Sequence, residues 1–349
     1  MRISQRSIVS RAERVTRFAI VAALIGLGAC AVRRARGLTG SSVARVTMPD
    51  PLFDFRVNPW VNLHHFLYEA ARGRRGLDSG REGPRRAAAD TAGIGSLTAR
   101  ERGAWDRALN YYDRTFAQRD ILFDTTLVAI TDRLSDLGAS SPLADARLDS
   151  ELTSVLAEAM PVYRVLWWPR HRAADSAWIA SVRPYLARYG NAAAAREARA
   201  FATSWPDAPV RVDVSEYTSW AGAYTTTQPS RINMGAFDPM AYGAAGLKTL
   251  FHEVLHTMDD TLFAHFQAQA RAERKRMRRD PTHVFIFYTA GETVAALIPG
   301  YIPFGERTGF WKRTNDMDGM RPLLARYWQP WLDGRGTFDA ALRAIAAKM

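Results

Sequence analysis

The chain has 349 residues, 47% of them hydrophobic, and a formal net charge of +12. This length is enough for one large domain or two, and the apolar content excludes a chain that is disordered throughout. The positive charge comes mainly from arginines spread along the sequence. No zinc-finger spacing, RNP-like motif or P-loop accompanies them, so no nucleic-acid partner is expected.

The N-terminal segment has the order of a secretory signal. Five arginines in residues 1–17 precede the apolar run "FAIVAALIGLGA", which ends at Cys30, the only cysteine of the chain. The stretch from Leu27 to Cys30 resembles the bacterial lipoprotein box, in which the cysteine is lipidated. We therefore predict a signal peptide (1–29) and an exported protein anchored by lipid to the bacterial cell envelope and its membrane. A plain signal peptide or a short membrane anchor is the alternative.

The next segments divide into a tether and a helical region. Residues 30–56 are polar and irregular, which predicts a tether. From 57 to 205, apolar residues recur at three and four positions, which predicts amphipathic helices, interrupted by a Gly/Arg-rich loop at 73–96. Thr98 and Glu101 have the spacing of a capping box, and predict the start of one of these helices.

The spacing of apolar residues changes from a helical to a strand period after residue 205. Alternating valines from Val210 to Val214, followed by "SWAGAYTTT" and "SRINMGA", predict two or three short strands. Asp238 and Pro239 are a cap and first-turn residue for the helical region that follows. The predicted fold class is mainly α (α+β): a multi-helix body with a small antiparallel or mixed sheet, and a last region at 206–349.

One predicted helix of this last region carries a sequence motif typical of metal sites. His252, Glu253 and His256 form the pattern HExxH. Residues four apart lie one helical turn apart, so both imidazoles can reach one metal ion while the glutamate takes a proton from a water. An apolar stripe that runs from Leu247 to Leu262 leaves the two histidines outside it. The alternative is an ordinary surface helix.

A third ligand is expected from a second predicted helix, 281–298. Glu292 lies in the middle of this apolar segment, where an unpaired carboxylate is costly unless a metal ion or an arginine accompanies it. Asp259 and Asp260 follow the motif too closely to be ligands, and are predicted to accept a hydrogen bond from the N–H of a ligating histidine. His283 and His265 are expected to be structural or to hydrogen-bond a ligand without binding the metal ion.

With these residues the segment 228–300 resembles the gluzincins, zinc metallopeptidases with HExxH and a glutamate on a later helix. The resemblance implies one zinc ion (Zn2+) held by His252, His256 and Glu292, with Glu253 as the general base. It also implies that the HExxH helix is a zincin-like active-site helix, and that the strand before it, Ser230 to Ala236, pairs with extended substrate.

The remaining roles are less determined by the sequence. Tyr288 and Tyr301 are candidate stabilisers of the transition state, and a packed tyrosine is the alternative for each. The resulting prediction is a zinc hydrolase acting on a peptide or protein substrate. Two alternatives remain: a non-catalytic zinc-binding or scaffold lipoprotein of the envelope, and a basic protein that binds an anionic surface through the cluster "RAERKRMRR".

Overall fold

The structure is a computed structural model that describes residues 51–77, 90, 93–138, 141–275, 281–313 and 315–349. The predicted signal peptide and Cys30 lie outside these residues. Within the described ranges, no helix combines the length and the apolar character needed to cross a bilayer. The described residues belong to one compact unit, Val46–Met349, so the predicted regions 57–205 and 206–349 are not separate units.

The first helices form a body around an aromatic core. Side chains cap several of them: Asn58 Oδ1 accepts from the backbone N–H of Trp60 at 2.8 Å, and the predicted capping box of Thr98 and Glu101 is present. Trp105 and Trp167 pack together in the core with their rings 4.3 Å apart. The helices of this body are α1 (Pro59–Arg74), α2 (Ala99–Thr115), α3 (Thr125–Ser135), α4 (Ser150–Leu166) and α5 (Trp168–Ala200).

A four-stranded mixed sheet lies against the body. Its strands are β1 (Phe53–Val57), β2 (Val210–Ser215), β3 (Ala223–Thr227) and β4 (Ser230–Gly235), in the order β1-β2-β4-β3. β2 is parallel to both β1 and β4, whereas β3 and β4 form an antiparallel hairpin. β1 and β3 are therefore the edges of the sheet, and β4 is paired on both sides.

The rest of the chain returns to helix. The HExxH motif lies on α6 (Ala244–Leu255), which packs against α5, β3 and a later helix, α8 (Thr282–Leu297). α6 approaches α5 closely at Gly246, where an added Cβ would lie 2.6 Å from Val182 and 2.7 Å from the carbonyl oxygen of Ala241. The helices are α6 (Ala244–Leu255), α7 (Asp260–Ala272), α8 (Thr282–Leu297), α9 (Phe304–Thr308), α10 (Asn315–Leu323), α11 (Gln329–Leu332) and α12 (Phe338–Ala346), with a π-helical turn at Leu324–Trp328.

The predicted fold class, a mainly helical α+β chain with a small mixed sheet, is confirmed. One local prediction was wrong: the segment predicted as a tether, 30–56, includes most of β1, whose partner β2 lies more than 150 residues later and so leaves no local signal. Asp238 is an N-cap residue followed by Pro239, as predicted, but they open a short 3-10 turn, Pro239–Ala241, and α6 begins after a break at Gly243.

Buried charges tie α3 to the sheet. Arg231 on β4 donates from Nη1 to the backbone oxygen of Asp132 at 2.7 Å and from Nη2 to Asp136 Oδ1 at 2.7 Å. The Asp132 side chain is 14% exposed. Burial raises the pKa of Asp132 to about 6, and the charge of Arg231 only partly opposes this. This carboxyl is therefore a source of pH-dependent stability.

Replacing Asp132 by asparagine should flatten the pH dependence of the unfolding free energy between about pH 4 and pH 6. An unfolded aspartate titrates near about 3.9, so in this window the folded state holds more protons than the unfolded state. Its stability therefore decreases as the pH rises, by at most about 3 kcal/mol in total. Urea denaturation across this range measures the slope.

The exposed Asp207→Asn variant is the matched control for this experiment. An Asp132→Asn variant with the same slope as the wild type would contradict the assignment of the pH dependence to Asp132.

Candidate metal centre

Three histidines come together between α6 and α8. The ring centroids of His252 and His256 lie 5.1 Å apart, and each lies 5.2 Å from the ring of His283. One nitrogen from each of the three lies within 4.8 Å of the other two. Among the described residues, these three histidines form the group of His, Cys, Asp or Glu side chains that lie close enough together to bind one metal ion.

The positions of the three histidines follow from helix geometry. His252 is in the last turn of α6 and His256 is its C-cap residue, so the two imidazoles project from the same side, one turn apart. His283 is the second residue of α8 and is exposed, whereas His256 is half-buried and His252 is 7% exposed. The group therefore reaches from the protein surface into the interior.

Glu292 does not join the histidines, which corrects the predicted ligand set. It follows His283 by nine residues on α8, a rotation of about 180° at 3.6 residues per turn, so the two side chains leave opposite sides of the helix. Glu292 is half-buried. Burial raises its pKa, and the charges that act on it are those of Glu306, Arg321, Arg196 and Asp333.

Burial keeps the two histidines of α6 uncharged. It lowers the pKa of His252 well below its usual value and that of His256 to about 3, and the positive charge of Lys248 adds to both effects. Neutral imidazole is the form that binds metal ions. His252 Nδ1 is buried and makes no hydrogen bond to a described residue.

The donor set fits a zinc ion. Three histidines with an open fourth position are an established arrangement for catalytic zinc. Zinc–nitrogen distances of about 2.0–2.1 Å in a tetrahedral site place the nitrogens roughly 3.4 Å apart. Because the nitrogens here already lie within 4.8 Å of one another, small rotations of the side chains would bring them to bonding distance.

Glu253 lies on the β3 side of α6 and is 6% exposed. Thr225 Oγ1 on β3 donates to Glu253 Oε2 at 2.7 Å and lies 3.0 Å from the backbone oxygen of the same residue. Oε1 makes no hydrogen bond to a described residue. Burial raises the pKa of Glu253 to about 7, although Thr225 and Lys248 oppose the shift. The carboxyl can therefore both accept and release a proton near neutrality.

Lys248 is a site residue that the sequence analysis missed. It lies one turn before His252 on α6 and is 7% exposed. Its Nζ lies 4.4 Å from the ring centroid of Phe287, and this ring lies 5.9 Å from that of His252. Burial lowers the pKa of Lys248 to about 8, against the raising effect of Glu253 and Glu197. The sequence did contain a signal for Lys248: it precedes His252 by four residues, which places it on the same face of the helix as the two histidines.

The two tyrosines predicted as candidate stabilisers make the following contacts. The hydroxyl of Tyr288 donates to Gln329 Oε1 at 2.9 Å, and its ring packs 6.2 Å from that of Trp311. Tyr301 packs against the hydrophobic core between the sheet and α6, and burial raises its pKa to about 12. Their role as stabilisers of the transition state stays a prediction.

The remaining predicted residues occupy helix ends and a surface contact. Asp259 is the N-cap residue of α7 and Asp260 its first residue, and their binding to a histidine stays a prediction. His265 Nδ1 lies 2.9 Å from Asp339 Oδ1 at the contact of α7 with α12, consistent with a structural role. The sequence predicts the third ligand at Glu292, and His283, nine residues earlier on the same helix, cannot easily bind the same ion as Glu292.

Replacing Tyr288 by phenylalanine should cost about 1 kcal/mol of unfolding free energy, the usual loss for one hydrogen bond, and leave metal binding unchanged. Urea denaturation and a zinc titration of the same preparation measure both effects. Loss of hydrolysis without loss of stability would instead restore the role of Tyr288 as a stabiliser of the transition state.

Comparisons with known proteins give no match: no protein family fits the chain, and no curated protein or solved structure is similar to it. The interpretation of the metal centre therefore rests on the residues and distances given above.

Proposed function

We propose that the chain is a zinc-dependent hydrolase, most simply a metallopeptidase. One observation carries the proposal: His252, His256 and His283 bring a nitrogen each to one place, and Glu253 follows His252 directly in the sequence of the same helix. In this proposal His283 replaces Glu292 as the third ligand. A site of three protein ligands leaves one position open for a reactant, which is the arrangement of catalytic zinc.

The chemistry divides between the metal ion and Glu253. A zinc ion in this site would supply Lewis acidity, which lowers the pKa of a water and polarises a carbonyl group. Glu253 Oε1 accepts the proton of the attacking water and then returns it to the leaving amine. Thr225 holds Oε2 by its hydrogen bond of 2.7 Å, so the free oxygen keeps one orientation.

The sheet suggests which strand holds an extended substrate. The strand implied by the resemblance to gluzincins, residues 230–236, is largely β4, whose two edges are occupied by β2 and β3. β3 is an edge strand, and Thr225 links it to Glu253. An extended peptide added to β3 would therefore pass beside the general base.

The predicted export and lipidation at Cys30 remain proposals from the sequence. In that arrangement the hydrolase would act on peptides at the cell envelope. A zinc-binding protein without turnover has the same three histidines, and an activity measurement distinguishes it from the enzyme.

Replacing His283 by alanine should weaken zinc binding by a factor of roughly 100 or more, because two imidazoles would remain of three ligands. Glu292→Gln is the matched variant and should bind zinc as the wild type does. Equilibrium titration against a chromogenic zinc chelator measures both affinities, and elemental analysis gives the stoichiometry, expected to be one ion per chain. Loss of zinc in Glu292→Gln but not in His283→Ala would return the third ligand to Glu292.

Replacing Glu253 by glutamine should reduce hydrolysis by roughly 100- to 10,000-fold, the usual contribution of a general base, while zinc remains bound. Mass spectrometry of a mixed peptide library with the full-length protein measures cleavage. The exposed Glu158→Gln variant is the control. If a zinc-loaded wild type cleaves no peptide, or if Glu253→Gln cleaves as fast as the wild type, the enzymatic proposal fails and a zinc-binding protein without turnover remains.

A further inference from the structure

Lys248 is a largely buried cation. It makes neither a hydrogen bond nor an ion pair with a described residue, and the residue is 7% exposed. Its contact is the face of the Phe287 ring, 4.4 Å from Nζ. An ammonium group has three donors, and no described residue accepts from them. Such a group is suited to bind an anion that the free protein does not contain.

Lys248 lies on the inner side of the histidines. Exposure decreases from His283 through His256 to His252, and Lys248 follows one turn further along α6. A substrate that reaches the histidines from the exposed His283 side therefore meets Lys248 beyond them. The group that arrives there is the leading end of the substrate.

The carboxyl groups near Lys248 do not pair with its ammonium group. Two carboxyl groups act on it, Glu253 from α6 and Glu197 from α5, and neither lies within ion-pair distance. Burial raises the pKa of Glu197 well above its usual range and so disfavours its charged form. With a zinc ion bound nearby, the site as a whole would be positive, which favours an anionic substrate.

The surroundings of Lys248 are aromatic. The Phe287 ring lies 5.2 Å from that of Phe310 and 5.0 Å from that of Trp311. The ring that contacts the ammonium group therefore belongs to an aromatic cluster. A carboxylate that carries a large apolar side chain on the neighbouring carbon matches both features.

We propose that Lys248 binds the free C-terminal carboxylate of the peptide substrate, which makes the proposed hydrolase a carboxypeptidase with a preference for a large apolar C-terminal residue. This inference rests on the proposed function and adds the class of substrate. The scissile bond is then the last one in the peptide, because Lys248 lies one helical turn from His252.

The first test compares N-benzoyl-Gly-Phe with its C-terminal amide as substrates of the full-length, zinc-loaded protein. The wild type should favour the acid by about 10- to 100-fold in kcat/KM, the effect of one charge-assisted hydrogen bond, mainly through KM. In Lys248→Met this ratio should fall to near one, whereas the exposed Lys348→Met control should keep it. Equal rates on acid and amide in the wild type would overturn the proposal.

Parallel loss on both substrates in Lys248→Met would also overturn it, because this is the pattern of a residue that stabilises the reacting oxygen. The wild-type comparison of acid with amide requires no variant. A folding defect in Lys248→Met, detected by circular dichroism, therefore leaves the inference falsifiable.

The second test measures binding without turnover. Calorimetry with 3-phenylpropionate and its amide, on metal-free and zinc-loaded protein, should show tighter binding of the acid in both forms, and Lys248→Met should remove the difference in the metal-free form. Equal binding of acid and amide by the metal-free wild type would overturn the role of Lys248. Failure to bind zinc or to cleave either peptide would instead overturn the proposed function, and the calorimetric result would still decide the role of Lys248.

Discussion

The structure depends on the burial of the polar face of α6. Lys248, His252 and Glu253 are each less than a tenth exposed, because α6 lies between β3 on one side and α8 on the other. Unpartnered polar groups in such a place cost several kcal/mol. Neutral imidazoles, the Thr225 hydroxyl and the Phe287 ring reduce this cost. A metal ion would satisfy the nitrogens that these contacts leave unbonded.

The part of the site that lies within one helix could be predicted from the sequence, and the part that depends on the packing of two helices could not. The spacing of His252 and His256 fixes their shared face wherever α6 packs. Choosing between His283 and Glu292 required the rotation of α8 about its own axis, and the two residues leave opposite sides of it. The apolar sequence of α8 predicted that Glu292 would be fully buried and would need a metal ion as its partner. In the structure Glu292 is half-buried, and the charges of Glu306, Arg321 and Arg196 act on it.

The sheet shows the same limit. Local sequence patterns, such as the alternating valines of β2, predicted the strands β2, β3 and β4. The order of the strands in the sheet depends instead on contacts between distant segments. β1, at residues 53–57, has a single partner that begins at Val210. Strand order decides which strand can accept a peptide. Residues 230–236 lie largely in a strand that is paired on both sides, so the proposal assigns substrate binding to β3, the neighbouring edge strand. Local periodicity contains no information about this choice.

The two flanks of α6 divide the proposed work. On the β3 side, Thr225 bonds to Glu253, the residue proposed to transfer the proton. On the α8 side, Phe287 lies against Lys248, the residue proposed to bind the part of the substrate that does not react. Changes on the first side therefore act on interactions made in the transition state and lower kcat, whereas changes on the second act on ground-state binding and raise KM. His252 belongs to both sides, since it is a proposed ligand whose ring lies 5.9 Å from Phe287.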